Sequence, residues 1–311
     1  MRKNLCIMLS AVLMLTAGCG CGNDRGIEKR NVLVGKEHLT EAINEIIKNA
    51  PGTVGVAYVS SKDTVLINNG VRYPMMSVFK LHEALSVADF LRRNDRGVDS
   101  VLVVEERDLD RNTWSPMLEE ARYATTPFKV SVGELMRYAL TSSDNNASNI
   151  LFERIVSPKE TDAYIRRIAP DTAFSIAWSE RDMKRAHELA YENYTSPLSA
   201  ALLIKEVYSD ERYTDEIGNF IKKALSEVTT GEDRLGSGVS EEEGVYFAHK
   251  TGSGYRNHRG ELSAHNDVGY FRLADGRDYA LAVFVRDFRG TEEEASEIIA
   301  SISKAVRKSF N

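Results

Sequence analysis

The chain has 311 residues, of which 42% are hydrophobic and 28% charged, with a net charge of −6 and a pI near 5.7. That length holds one large domain or two smaller ones and buries a sizeable core without disulfide or metal staples. The acidic balance argues against nucleic acid as a partner, and 7 prolines with no low-complexity tract argue against disorder. His38, His82, His187, His249, His258 and His265 form neither HxH nor HExxH, so no pair has metal-ligand spacing on one strand or helix.

The first 21 residues read as an export signal. Arg2 and Lys3 make a basic start, residues 5–16 carry no charge, and Ala17-Gly18-Cys19 closes the run with small residues. These are the three zones of a secretory leader, and the run is shorter than the ~20 apolar residues of a membrane span. The alternative is a buried N-terminal core helix. Cys6, Cys19 and Cys21 all lie in this segment, so the exported domain is expected to fold without disulfides. Leu15-Thr16-Ala17-Gly18-Cys19 resembles a bacterial lipoprotein box, with Thr16 where leucine is commonest. Lipidation of Cys19 and simple cleavage nearby both fit, and either makes the mature chain two charges more acidic. No other apolar run of membrane length follows, so the working part is expected to be exported and periplasmic, free or lipid-anchored.

Residues 22–35 are polar and glycine-containing and read as a linker. Leu39, Ala42, Ile43, Ile46 and Ile47 share one helical face over 37–49, and Pro51-Gly52 ends that helix. Residues 53–59 and 64–68 are β-rich runs joined by a turn, an antiparallel hairpin. Helices are expected over 78–93, 132–140, 146–156, 159–168, 197–208 and 215–228. Strands return over 245–251, 267–273 and 279–287, and a last helix covers 292–310. Strands at both ends with helices between them predict an α+β protein: an antiparallel sheet built from both termini and flanked by terminal helices, with an all-α domain inserted. The division is 36–74 with 228–311 for the sheet domain and 75–227 for the helical one. The cleft between them is the natural place for a site.

Three short motifs could carry chemistry. Ser77 and Lys80 lie three apart at a helix start and so share a face. Serine is a weak nucleophile that needs a base, a lysine of lowered pKa can serve, and the helix start favours a developing anion. Pro74, Met75, Met76, Phe79 and Leu81 are apolar, so this start is expected to be partly buried. The bland reading is a helix N-cap beside a solvated lysine. Ser143-Asp144-Asn145 lies between two helices, where Ser143 and Asn145 can point into one space and Asp144 can hold the loop; by itself it fits a capping turn better. Lys250-Thr251-Gly252 follows a strand, with Gly252 permitting close approach of a ligand or backbone.

SxxK, SDN and KTG in that order and at those separations form the set found in class A β-lactamases and penicillin-binding proteins. From about residue 35 to the C-terminus the chain resembles a class A serine β-lactamase, in a branch with an altered Ω-loop and a leaning toward cephalosporins, bulky ones included. The resemblance implies a five-stranded sheet beside the helical domain. It implies Ser77 as nucleophile, Lys80 taking or relaying its proton, and Ser143 passing a proton to the leaving lactam nitrogen. Asn145 would hold the substrate's side-chain amide, and Lys250 and Thr251 its carboxylate. The N–H groups of Ser77 and Ser253 would bind the oxyanion.

The same resemblance makes Glu180, in Trp178-Ser179-Glu180-Arg181-Asp182-Met183, the base that activates the deacylating water; the alternative is a surface loop charge. Here the loop departs from the family's habit, with Arg181 in place of a proline and Lys184 in place of the asparagine that helps hold that water. Trp114 would be the aromatic wall of the cleft mouth, against a core tryptophan as alternative. Arg234 would bind the substrate carboxylate, since the other position the family uses for that arginine holds His265; Arg256 and Arg259, on an enlarged hairpin, are rivals.

No metal or organic cofactor is implied, and a monomer is the default. The competing readings are a penicillin-binding D,D-peptidase, a β-lactam sensor domain that acylates without fast deacylation, and a catalytically silent lipoprotein scaffold.

Overall fold

The computed structural model describes residues 24–239 and 244–310. The expected leader, with Cys19, lies outside the described residues. The main sheet contains β1 (Thr53–Ser60), β2 (Thr64–Ile67), β3 (Tyr246–Ser253), β4 (Leu262–Arg272) and β5 (Asp278–Phe288), all antiparallel, in the spatial order β2–β1–β5–β4–β3. The N-terminal hairpin is thus completed by the C-terminal strands, with Thr53 to Ser60 paired against Arg286 to Tyr279.

The strand sequences are apolar on both faces because both faces are covered. Val54, Val56 and Tyr58 of β1 and Leu281, Val283 and Val285 of β5 face one way. They join Leu39 and Ile43 of α1 (Asp24–Ile47) and Ile299, Ile302 and Val306 of α9 (Glu292–Lys308). The intervening Ala57, Val59, Ala280, Ala282 and Phe284 belong to the opposite core. There the alanines leave room for α7 (Pro197–Ser209) to lie against β1 and β5.

The remaining helices are α2 (Phe79–Arg93), α3 (Val132–Thr141), α4 (Asn145–Arg154), α5 (Pro158–Ile168), α6 (Glu180–Arg185) and α8 (Glu216–Ser226). Their starts follow from capping chemistry: Ser131 with Glu134 and Ser157 with Glu160 form reciprocal capping boxes at α3 and α5. Short pairings of Val101–Val104 with Phe128–Ser131, and of Tyr194–Thr195 with Tyr73–Pro74 and Phe174–Ser175, tie the loops down.

Three expectations are corrected. The segment read as a linker is helical from Asp24 onward. No proline interrupts it, and Glu, Lys and Arg are good helix formers, so its polarity was misleading. Strand β4 begins at Leu262, inside the segment read as an enlarged hairpin. Asn145 stands on the first turn of α4 rather than on a loop.

Candidate active site

The turn that carries Ser77 is a 3₁₀ segment, Met76–Val78, leading directly into α2. Met76 has φ 45°, a left-handed conformation that costs a non-glycine residue on the order of 1–3 kcal/mol and is typical of functional turns. Lys80 follows on the first turn of α2 and is fully buried. Its Nζ donates to Ser77 Oγ at 3.0 Å, to the Ser143 carbonyl at 2.9 Å and to Asn145 Oδ1 at 2.7 Å, and stands 2.9 Å from Glu180 Oε1. Ser77 Oγ in turn donates to Glu180 Oε1 at 3.2 Å. The hydroxyl is therefore in reach of two bases, an amine and a carboxylate, as an activated serine requires.

The second serine is placed by a cap. Asp144 is the N-cap of α4 and accepts from the Ala147 and Met117 N–H groups, both at 2.8 Å, and from Ser115 Oγ at 3.0 and 2.9 Å. Burial pushes the Asp144 carboxyl up, and these donors and Lys80 oppose the shift. Ser143, just before it, is also left-handed at φ 58°. Asn145 Nδ2 donates to Thr113 Oγ1 at 2.9 Å. Trp114 is 59% exposed, with its Nε1 donating to the Ser142 carbonyl at 2.8 Å. A tryptophan left this open is no core residue; it walls the cleft.

Strand β3 closes the other side. Fully buried Lys250 donates from Nζ to Ser143 Oγ at 3.1 Å. Burial, with the nearby charge of Lys80, holds its ammonium well below the ordinary lysine value, although Asp267 and Glu180 oppose this. Thr251 Oγ1 is 2.6 Å from Thr230 Oγ1. A Cβ on Gly252 would meet the Met75 carbonyl at 2.3 Å, so glycine lets β3 lie directly on the turn bearing Ser77. Asn266 of β4 fastens the same turn, donating to the Pro74 and Met75 carbonyls at 2.8 and 3.2 Å.

The loop bearing Glu180 is stiffened by its own contacts. Ser179 caps α6 through a box with Asp182, and Asn193 Oδ1 accepts from the Ala177 and Trp178 N–H groups. Lys184 lines the cleft, but its Nζ is bound to Asp110 Oδ2 at 2.5 Å and the Asn112 carbonyl at 2.9 Å. The Arg181 guanidinium donates to the Asp108 carbonyl at 2.9 Å. Both unusual cations thus moor the loop to the opposite wall.

The arginines are placed less directly. Arg234 is buried behind the strand and does not line the cleft. It donates to the Asn266 carbonyl at 2.8 Å and to Ser253 Oγ at 2.7 Å, and so reaches the cleft only through Ser253. Arg256 is bound to the Gly260 and Gly290 carbonyls, and Arg259 to Glu261. Neither lines this cleft. His265 is buried against Ser296 Oγ at 2.9 Å, its pKa pushed down to about 3 by burial and by Arg234. The lining instead includes Thr230, Thr251 and Ser253, with His187 stacked on Tyr255 at 3.8 Å between ring centres. Thr230 stands in the segment before KTG, four residues ahead of Arg234.

The cleft of about 670 Å³ brings Ser77, Ser143, Asn145, Glu180, Thr251, Ser253 and Trp114 onto one surface, with Lys80 and Lys250 beneath it. A serine so activated, facing a second serine–lysine pair, has the equipment of an acyl-transfer hydrolase. Comparison narrows that class. Residues 38–310 match the β-lactamase enzyme family. A β-lactamase of Phocaeicola vulgatus is 44% identical over 269 residues, which span 86% of this chain and 83% of that protein. The extended-spectrum β-lactamase PER-1 of Pseudomonas aeruginosa is 32% identical, over 86% of this chain and 85% of its own length. The crystal structure of a class A β-lactamase from Bacteroides cellulosilyticus superposes with a TM-score of 0.83 at 30% identity, covering 89% of this chain and 98% of that one. The chain belongs to the β-lactamase enzyme family, among its class A serine enzymes.

Proposed function

We propose that this chain hydrolyses the β-lactam ring of penicillins and cephalosporins, leaning to cephalosporins, through an acyl-enzyme on Ser77. The observation that carries this is Ser77 Oγ within hydrogen-bond reach of both Lys80 and Glu180. Ser77 Oγ bonds to the lactam carbonyl carbon as its proton passes to Lys80 or Glu180. The backbone N–H groups of Ser77 and Ser253 receive the oxyanion. The C–N bond breaks, the nitrogen takes a proton from Ser143, which Lys250 polarises at 3.1 Å, and the proton first taken from Ser77 passes on to Ser143, so that Ser143 and the base are both restored. Glu180 then removes a proton from water, the resulting hydroxide attacks the ester, and Ser77 leaves with a proton.

Asn145 holds the substrate's side-chain amide, and Trp114 walls the mouth. Lys250, Thr251 and Ser253 face the substrate carboxylate, with Arg234 acting on it through Ser253. The extended-spectrum relative supports the cephalosporin leaning. A D,D-peptidase or a sensor has no use for a carboxylate on the nucleophile, and Glu180 is what separates the readings. We read residues 36–74 with 228–311 and residues 75–227 as the two domains around this cleft. The protein acts as an exported, periplasmic monomer, with Cys19 as the point of any lipid anchor.

The test is to mix purified protein from residue 22 onward with a chromogenic cephalosporin and follow intact mass. Many turnovers with little adduct are expected. One equivalent of stable adduct on Ser77 would convert the assignment to a sensor or penicillin-binding protein.

A further inference from the structure

Beneath Lys80 lies a second carboxyl that the steps above do not use. Glu83 follows Lys80 by three residues on α2, so the two share a helix face. Its side chain is fully buried. Two rungs join α2 to α4: Lys80 donates to Asn145 at 2.7 Å, and one turn deeper Ser148 Oγ donates to Glu83 Oε1 at 3.1 Å. Glu83 Oε2 has no hydrogen-bond partner among the described residues. A buried carboxylate with one donor and one bare oxygen is costly, and the neutral acid costs less. Burial accordingly drives its pKa well above the usual carboxylate range, with Glu180 adding to the shift and Ser148 and Lys80 opposing it. The charged groups acting on it are Lys80 of α2 and Glu180 of α6. Helices α3, α5 and α8 also pack on α2.

We propose that Glu83 is a positioning residue for Lys80 that acts through its charge: as the neutral acid it leaves the ammonium to Ser77 and Glu180, and as the anion it holds that ammonium to itself. When Glu83 ionises, the Lys80 ammonium has a second carboxylate one helical turn away on α2 besides Glu180 at 2.9 Å, and is drawn away from Ser77. Relay of the Ser77 proton then slows. Glu83 therefore sets an alkaline limit on turnover without touching substrate. This rests on the β-lactam hydrolysis proposed above.

Glu83→Gln keeps the shape and the hydrogen bond from Ser148 but cannot ionise. The expected result is an alkaline limb of kcat/KM displaced upward by about one pH unit, a tenfold change in proton affinity, with the acid limb unmoved. A purely structural role would lower activity at every pH and leave both limbs in place; that result overturns the proposal. Should Glu83→Gln fail to fold, carbon-13 carboxyl NMR of glutamate-labelled wild type decides. One glutamate titrating above neutral pH, and at lower pH in Glu180→Gln, is expected. No glutamate titrating above neutrality overturns the proposal. A protein that turns over no β-lactam defeats the functional reading instead, and the NMR titration still decides the state of Glu83.

Discussion

The two interiors flanking the sheet differ in what they bury. Between the sheet and helices α1 and α9, the packing around β1 and β5 is aliphatic and aromatic, with Leu39, Ile43, Val283, Phe288, Ile299 and Ile302, and the polar groups on this side, His265 with Ser296 and Ser303 with the Leu235 carbonyl, are uncharged or backbone-paired. On the helical side, beneath the cleft, the interior also holds Lys80, Glu83, Asp144, Asn146, Ser148 and Asn149. Each of these polar groups costs desolvation and is tolerable only with a partner. Most have one at named distances: Asp144 takes three donors, and Lys80 is shared among two serine oxygens, Asn145 and Glu180. The dry side holds the sheet together; the polar side gives up stability to keep charges where water cannot screen them. Substitutions on the two sides should therefore separate turnover from stability.

The largest effect should come from Ser77→Ala, which removes the nucleophile. Turnover is expected to fall by about 10⁴-fold or more, and intact mass should show no adduct with any β-lactam. Glu180→Gln should leave acylation in place and slow deacylation by about 10²–10⁴-fold, the span of a lost general base. A mass spectrum dominated by the acyl-enzyme would show it, whereas a normal steady-state rate would remove Glu180 from its role.

Ile299→Ala, on the dry side, should cost about 2–5 kcal/mol of stability while leaving kcat per folded molecule unchanged. Thermal melting and an active-site titration separate the two readouts. The smallest effect concerns pH. Because the Lys250 ammonium is held well below its ordinary value, it loses its charge as pH rises, before a solvated lysine would. Attraction for a substrate carboxylate goes with it, so KM should climb on the alkaline side for carboxylate-bearing substrates. KM for a neutral ester of the same drug should stay flat.

Much of the site was legible because its motifs are local. SxxK shares a helix face by spacing alone, and Ser143 and Asn145 flank a cap that their neighbour Asp144 announces. The fold followed from the return of β-rich runs at the C-terminus. What could not be read was burial and direction. Arg234 looks like any cation in a turn, yet it points inward at Asn266 and Ser253. Glu83 carries no motif of its own, and its role depends on Ser148 meeting it from α4. Lys184 suggested a disturbed water site, because nothing in the sequence brings Asp110 and Asn112 across to bind it. All three cases depend on contacts between segments far apart in the chain, which spacing does not encode.

The pairing of β1 with β5 also governs when the site comes into being. Contacts between the two ends of a chain form late, because a long loop must close before they gain anything. A chain made from its N-terminus carries Ser77 and Lys80 long before β3 arrives with Lys250, or β4 with the Asn266 that fastens the turn. Until then the serine has no second wall. The nucleophile thus gains its second wall only when the final strands dock, an order in time that the topology itself supplies.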